Sequence, residues 1–158
     1  MLSAPRNLLP CVLFVDDEPT NRMTFRAAFR RQFRVLLAGT PEEAFDHLNS
    51  SEVDVVISDQ RMPGTVGSEF LAQVRQRFPK VRRMLVTAYS DLQALVDAVN
   101  RAGVSQYIQK PWDAGQLAEA VRQAHQDRVR EVEQDAQVTY LAELNQQLEF
   151  ALRQRLLS

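Results

Sequence analysis

The chain alternates short apolar runs with longer amphipathic stretches, and this alternation constrains its fold more than any other feature. The apolar runs have the length of strands, and the stretches between them have the apolar spacing of helices. Strands that alternate with helices form parallel sheets, covered on both faces and joined by right-handed crossovers. We therefore predict an α/β fold with a doubly wound, five-stranded parallel sheet. The predicted strands lie at residues 11–15, 33–38, 53–58, 81–86 and 104–108.

Helix boundaries follow from proline, glycine and capping residues. Pro19 can occupy the first turn of a first helix, which we expect to run to about Arg31. Residues 40–43, Thr-Pro-Glu-Glu, combine an N-cap, a proline at the first position and a capping-box glutamate. Pro79 ends a third helix. A fourth helix, capped by Ser90 or Asp91, is expected to end at Gly103; its apolar positions are Leu92, Leu95, Val96 and Val99.

The chain changes character after Gly115. Residues 116–158 contain neither proline nor glycine and consist mainly of good helix formers. A single helix over this range would be roughly 65 Å long, which is more than a five-stranded domain can cover. The apolar positions, spaced by three and four, predict a coiled coil with a stutter near residues 138–140; they are Val129, Val132, Ala136, Leu141, Leu144, Leu148 and Ala151. The alternative is a solvated helix that frays.

Composition sets wider limits. The chain has 158 residues, of which 45% are hydrophobic and 25% charged, which is enough for one domain with a substantial core. A net charge of -1 does not indicate binding to nucleic acid or to an anionic membrane. The single cysteine, Cys11, excludes an internal disulfide framework and suits a reducing compartment. No segment is long enough to cross a bilayer, so we expect a cytoplasmic protein.

Polar residues follow the predicted strands at the points where the strands end. Asp16 and Asp17 follow the first strand, Asp59 the third, Thr87 the fourth and Lys110 the fifth. The carboxyl ends of parallel strands share one edge of the sheet, and ligands bind at that edge. Three carboxylates, a hydroxyl and an ammonium group would then converge, a set that suits a divalent cation and a phosphoryl group.

Four fragments in this order resemble the receiver domain of bacterial response regulators, the CheY-like domain. They are V-D-D-E at 15–18, S-D-Q-R-M-P-G at 58–64, V-T-A at 86–88 and Y-I-Q-K-P-W at 107–112. The resemblance implies a flavodoxin-like fold with strand order 2-1-3-4-5. It divides the chain into an N-terminal tail (1–8), a receiver domain (9–123) and a helical linker or coiled coil (124–158).

The resemblance assigns roles to the acidic residues. Asp59 would be the nucleophile and phosphoacceptor, because a carboxylate can attack phosphorus and form an aspartyl phosphate. Asp17 and Asp59 would bind Mg²⁺, with Asp16 close by through water, since this ion prefers oxygen ligands and retains several waters. The backbone carbonyl of Arg61 would be the neutral ligand.

The remaining site residues would respond to the phosphoryl group. Lys110 would pair with one phosphoryl oxygen, and Thr87 would donate a hydrogen bond to another. Thr87 and Tyr107 would form the switch that reports phosphorylation. Arg61 and Tyr89 flank the path of an attacking water in receivers, and their size suggests slow self-dephosphorylation. The resemblance also implies a cis peptide bond before Pro111, where trans is the general default.

The resemblance further implies partners. A sensor histidine kinase would donate the phosphoryl group, and the chain would catalyse its own phosphorylation and dephosphorylation without being a conventional enzyme. We expect a homodimer through the C-terminal helix, and an output domain that is missing from this chain. No helix-turn-helix or basic cluster follows Lys110, so this chain should not bind DNA directly. Its motifs are similar to those of receivers that precede HD-type cyclic-di-GMP phosphodiesterases and hydrogenase-type transcription regulators.

Three other kinds of protein share parts of this pattern. A phosphatase of the haloacid dehalogenase class would carry a second aspartate two residues after the nucleophile, where this chain has Arg61. A flavodoxin would need a Ser/Thr/Gly-rich loop after the first strand, where this chain has Asp-Asp-Glu-Pro at 16–19. A pseudo-receiver would fold without being phosphorylated and act as a dimerisation or interaction module. All five key side chains are present, which favours a working receiver.

Overall fold

A computed structural model describes residues 9–88, 93, 96 and 98–157, and within them the chain forms one five-stranded sheet. Every neighbouring pair of strands is parallel, and the strand order is 2-1-3-4-5. The predicted α/β, flavodoxin-like fold is therefore confirmed. The strands are β1 (Cys11–Val15), β2 (Arg34–Ala38), β3 (Val55–Asp59), β4 (Arg82–Thr87) and β5 (Gln106–Gln109).

The helices in the described part of the chain are α1 (Pro19–Phe29), α2 (Pro41–Ser50), α3 (Gly67–Arg77) and α4 (Ala114–Leu157). The N-cap predicted at α2 is present, because Glu43 N–H donates to Oγ1 of Thr40. The Glu43 carboxylate accepts the N–H of Gly39, one residue before the N-cap, instead of the N–H of Thr40 that a capping box uses. Of the predicted fourth helix, Ser90, Asp91, Leu92 and Leu95 lie outside the described residues. Its end is a π-helical segment (Ala98–Ala102), followed by Gly103 at a φ of 57°.

Some strand boundaries differ from the prediction. Strand β3 was expected at 53–58 and instead spans Val55–Asp59, so Asp59 is itself the last residue of a buried strand. Strand β5 was expected to begin at Val104 and begins at Gln106. Apolar residues that precede a strand can be buried without pairing to a neighbouring strand. An apolar run therefore predicts which residues are buried more accurately than it predicts where strand pairing begins.

The core lies on both faces of the sheet, and the central strands β1 and β3 are buried at every residue. One cluster packs β1 and β3 against α2 and α3; its members include Leu13, Val56, Leu48, Phe70 and Leu71. The other packs the opposite face against α1 and α4, and includes Phe14, Phe25, Phe29, Ile57 and Leu117. The rings of Phe14 and Phe25 stack at a centroid distance of 4.2 Å. This packing fixes α1, and with it the loop after β1.

Helix α4 continues without a break across the domain boundary expected at 123/124. Beyond its apolar contacts it is joined to the body by ion pairs. Arg128 lies 2.9 Å from Asp54, which precedes β3, and Glu131 lies 2.7 Å from Arg82 in β4. Asp135 pairs with Lys80.

From Val132 to Leu157, α4 is exposed at every residue. Apolar side chains share this exposed segment with charged ones; Leu141 is 53% exposed and Leu148 is 55% exposed. Among the described residues, no helix has both the length and the apolar sequence that a membrane span requires.

Candidate functional site

The three predicted carboxylates lie together at the carboxyl edge of the sheet. Strands β1 and β3 are neighbours with Val15 opposite Ser58, so the residues that follow these two positions meet. Oxygen atoms of Asp16, Asp17 and Asp59 all lie within 4.8 Å of one another. Asp16 and Asp59 are buried, whereas Asp17 is half-buried. Buried like charges at this separation are unfavourable unless a cation is close, so the cluster favours a positive ion.

Asp16 is held in place by the first turn of α1. One carboxylate oxygen accepts the backbone N–H of Glu18 at 2.9 Å, and the other accepts the side-chain amide of Asn21 at 3.1 Å. Its backbone carbonyl accepts the guanidinium of Arg22 at 2.8 Å. Asn21 and Arg22 were not predicted, because no motif marks them. Their only signal was their position in the helical turn that follows the acidic pair.

Lys110, the residue directly after β5, contacts the cluster. Its Nζ lies 2.7 Å from Oδ1 of Asp59, and its backbone N–H donates to the carbonyl of Thr87 at 2.9 Å. The peptide bond between Lys110 and Pro111 is cis, in agreement with the resemblance. The side chain of Lys110 is 39% exposed, so water screens part of its charge.

The environment raises the pKa of the Asp59 carboxyl above its ordinary value. Burial is the largest cause, and the negative charge of Asp16 adds to it. The hydrogen bond and the charge of Lys110 act in the opposite direction without outweighing burial. The ionised form of Asp59 is therefore incompletely stabilised by the protein, and a bound cation would stabilise it further.

The residues at this edge fit a magnesium ion. The available donors are carboxylate oxygens from three residues, and hard divalent cations prefer such oxygens. The ammonium group of Lys110 pairs with Asp59, one of these three carboxylates. Arg61, the expected carbonyl ligand, lies in the loop directly after β3 and has an exposed side chain.

The residues predicted to form the switch and to tune the phosphoryl lifetime differ in their exposure. Thr87 is the last residue of β4 and is buried, and its hydroxyl donates to the carbonyl of Ala88 at 3.3 Å. Tyr107 of β5 pairs with Leu85 of β4, and Thr87 pairs with Gln109, two residues further along β5. The ring of Tyr107 is 52% exposed. Tyr89 lies outside the described residues.

Two cavities flank the acidic cluster. One of about 520 Å³ is lined by Asp16, Asn21, Thr24, Lys110 and Trp112, among others. The other, of about 550 Å³, lies on the side of Asp17 and is lined by the loops after β2 and β3, including Thr40 and Met62, and by Glu42 in the first turn of α2. Both volumes are in the range of small-molecule sites, so the cluster can be approached by a side chain or a small donor.

The residue after Asp59 makes contacts that the sequence did not reveal. The backbone carbonyl of Gln60 accepts the N–H of Gly67, and its side-chain oxygen accepts the N–H of Ser68, both at 2.9 Å. The side-chain nitrogen of Gln60 donates to Oγ of Ser68 at 3.3 Å. The available sequence signal was Val66, an apolar residue at the N-cap position of α3.

Comparison with known families gives one match that covers most of the chain. The profile of the response regulator receiver domain matches residues 12–122. This range contains every fragment on which the resemblance was based, and it includes Asp16, Asp59, Thr87 and Lys110.

Individual relatives agree with this match. The hydrogenase transcriptional regulatory protein HoxA of Cupriavidus necator is 42% identical over 113 residues, which cover 72% of this chain and 23% of HoxA. The DNA-binding transcriptional regulator NtrC of Klebsiella pneumoniae is 39% identical over 111 residues, 70% of this chain and 24% of NtrC. The chain thus spans about a quarter of the length of these relatives.

A solved structure is similar over a longer range. The signal receiver domain of an HD domain-containing protein from Pseudomonas fluorescens Pf-5 has a TM-score of 0.76 and 30% sequence identity. The similarity covers 84% of this chain and 97% of that domain.

Proposed function

The chain belongs to the response regulator receiver domain family of two-component systems, and we propose that it accepts a phosphoryl group on Asp59. One observation carries this proposal: the Asp59 carboxylate lies at the sheet edge within 4.8 Å of two further carboxylates and 2.7 Å from an ammonium group. That arrangement presents a nucleophile beside an ammonium group that can pair with a phosphoryl oxygen. The two further carboxylates could hold a divalent cation next to it.

In the proposed reaction, a carboxylate oxygen of Asp59 attacks the phosphorus of a phosphohistidine on a sensor histidine kinase. A P–O bond forms as the P–N bond breaks, and the imidazole leaves neutral, keeping the proton on its other ring nitrogen. Lys110 pairs with a phosphoryl oxygen, and positioning and electrostatics supply the rate enhancement. In this proposal the reaction between the kinase and this chain takes place in the cytoplasm. The chain promotes its own phosphorylation and dephosphorylation.

Asp17 and Asp59 would hold Mg²⁺ together with the carbonyl of Arg61, and Asp16 would contact it through water. When bound, the ion neutralises charge on the carboxylates and on the transferring group. Asp16 is already oriented by Asn21 and Glu18, which supports a preorganised site.

The same proposal assigns a switch. The hydroxyl of Thr87 would leave the carbonyl of Ala88 and donate to the phosphoryl group, and the exposed ring of Tyr107 would change position with it. Arg61 and Tyr89 would slow the attack of water on the aspartyl phosphate. If they do, replacing both by alanine will shorten the lifetime of the phosphoryl group.

We assign residues 9–123 to the receiver and 124–158 to a helical linker that pairs with a second copy. The exposed leucine stripe of α4 supports pairing, because a lone helix would leave it in water. The output would lie in a domain outside this chain. HoxA and NtrC are named as transcription regulators, and the Pseudomonas fluorescens protein carries an HD domain, so either kind of output fits.

The second candidate is a pseudo-receiver that acts only as a dimerisation or interaction module. The length of the exposed part of α4 is the observation that favours it. The complete set of acidic and basic site residues favours phosphorylation instead.

The two candidates are separated by intact mass after incubation with acetyl phosphate and Mg²⁺. We expect one added phosphoryl group on the wild type and none on Asp59→Asn. If the wild type gains no mass, the experiment is repeated with beryllofluoride, a stable mimic of the phosphoryl group. Binding of the mimic would indicate a short-lived phosphoryl group, and no binding would favour the pseudo-receiver.

A further inference from the structure

Building on the proposed function, we propose that Gln60 is a positioning residue for phosphoryl transfer. It caps helix α3 from outside the helix and thereby fixes the loop between Asp59 and Gly67. This loop carries the phosphoacceptor at one end and, next to Gln60, the carbonyl of Arg61.

The first turn of α3 needs hydrogen-bond acceptors that its own N-cap residue cannot fully supply. The first N–H groups of any helix have no partner within the helix, and polar N-cap side chains normally accept one of them. Here the N-cap is Val66, which has extended backbone angles and makes no side-chain cap. Gln60 takes this role with two acceptors, its carbonyl for Gly67 and its side-chain oxygen for Ser68.

These bonds close the loop into a ring that is attached to the sheet. The N–H of Gln60 donates to the carbonyl of Val86 in β4, so the residue is held by the sheet on one side and by α3 on the other. The side chain of Gln60 is buried, and so are Gly67 and Ser68. A water molecule could therefore take over the hydrogen bond of the Gln60 side chain with Ser68 only if the loop opened.

The close approach of α3 shows how tight this ring is. A Cβ built on Gly67 would lie 2.2 Å from the carbonyl oxygen of Asp59, well inside contact distance. The start of α3 thus rests directly on the backbone of the proposed phosphoacceptor. Any displacement of α3 would move either Asp59 or residue 61, and groups that orient metal ligands affect metal affinity strongly.

The test uses Gln60→Met, which keeps the length of the side chain and removes its acceptor. Val66→Thr supplies a replacement cap, because threonine has the shape of valine and its hydroxyl can accept from the second or third N–H of the helix. Gln73→Met, at an exposed position in the middle of α3, is the matched control. Each protein is titrated with Mg²⁺ and followed by amide NMR, and hydrogen exchange is measured at Ser68.

We expect Gln60→Met to bind Mg²⁺ about tenfold more weakly, which is typical for the loss of an outer-shell partner. Exchange at Ser68 should be about fivefold faster, the equivalent of one lost helix cap. Gln60→Met combined with Val66→Thr should recover most of both losses, and Gln73→Met should match the wild type. Should Gln60→Met alone fail to fold, recovery of folding and Mg²⁺ binding in the double variant carries the same test.

Unchanged Mg²⁺ affinity in Gln60→Met, with faster exchange at Ser68, would overturn the inference and leave Gln60 as a cap only. Unchanged exchange would overturn the capping role itself. A wild type that binds no Mg²⁺ would instead defeat the proposed function, and the inference with it, so the two failures are distinguishable.

Discussion

The ammonium nitrogen of Lys110 lies 2.7 Å from Oδ1 of Asp59, so an ion pair joins the residue after β5 to the proposed phosphoacceptor at the end of β3. A lysine in this position should have opposite effects on the two groups that Asp59 would bind, a metal ion and a phosphoryl group. It competes with a metal ion for the carboxylate, and it stabilises the negative charge of a phosphoryl group.

Replacing Lys110 by methionine should therefore separate metal binding from phosphorylation. Without the ammonium charge, we expect Mg²⁺ to bind about threefold more tightly, because a like charge is removed from the site. The rate of phosphorylation by acetyl phosphate should fall at least about tenfold. Lys80→Met is the control, since Lys80 is the only other lysine in the chain and lies outside the site. Weaker Mg²⁺ binding in Lys110→Met would contradict the expected competition.

The raised pKa of Asp59 predicts a pH dependence of folding. A carboxyl whose pKa is raised in the folded state gives stability that is present below its ordinary pKa of 3.8 and is lost as the pH rises through the raised value. In metal-free buffer near neutral pH, Asp59→Asn should therefore be more stable than the wild type. The difference should shrink as the pH is lowered toward the ordinary carboxyl pKa. Urea unfolding at several pH values measures it, and a less stable Asp59→Asn near neutral pH would mean that the ion pair outweighs burial.

Two glycines should respond to alanine in opposite directions. At Gly67 a Cβ would meet the carbonyl oxygen of Asp59 at 2.2 Å, and we expect Gly67→Ala to lose about 3 kcal/mol of unfolding free energy. At Gly115, in the first turn of α4, the nearest atom would be 3.7 Å away, and alanine should add about 0.5 kcal/mol through helix propensity. Denaturant unfolding of both variants provides the comparison. Equal effects at the two sites would show that α3 can move away from Asp59.

The ion pair between Arg128 and Asp54 should contribute to the attachment of α4. Both side chains are mostly buried, and Asp54 also accepts the backbone N–H of Cys11. Removing one partner leaves the other incompletely paired, so Arg128→Met should cost about 2 kcal/mol of unfolding free energy. Arg130→Met removes an exposed charge with a distant partner and should change stability by less than about 0.5 kcal/mol. If the two variants lose the same stability, the pair does not anchor the helix.

The proposed pairing of α4 can be tested on two faces of the same segment. Leu141 and Leu148 are seven residues apart, so they lie on one face, and replacing both by serine should raise the dissociation constant of the dimer at least about tenfold. Phe150 is exposed on the opposite face, and Phe150→Ser should leave self-association unchanged. Sedimentation measures both. Loss of association in Phe150→Ser alone would place the contact on the other face.

Local signals in the sequence were sufficient to predict a parallel α/β sheet and the position of the acidic residues at one edge of it. The strand order was predicted from the resemblance to receiver domains. Buried strands are continuous apolar runs, and a parallel sheet brings the residues after them to one edge, so Asp16, Asp59 and Lys110 could be placed near one another without coordinates. The boundaries of β3 were predicted less accurately, because the apolar run and the strand pairing begin and end at different residues.

The support around the site could not be predicted in the same way. Gln60 bonds to Ser68, eight residues away, and Asn21 bonds to Asp16 through a helical turn. Such contacts depend on the direction of side chains in three dimensions, and glutamine or asparagine has no sequence pattern that announces it. The ion pairs of α4 with Asp54 and Arg82 join residues that are far apart in the chain, and single charged residues give no signal for their partners.

Asp135 pairs with Lys80 of the body, and α4 continues from there to Leu157 with every described residue exposed. At about 1.5 Å per residue, residues 136–157 extend roughly 33 Å beyond the ion pair of Asp135 with Lys80. A helix of this length would work as a lever arm, held at its near end by the ion pairs with Lys80 and Arg82. A tilt of about 10° in the docked part would move the far end by roughly 6 Å, so a small rearrangement at the sheet becomes a large displacement at the tip.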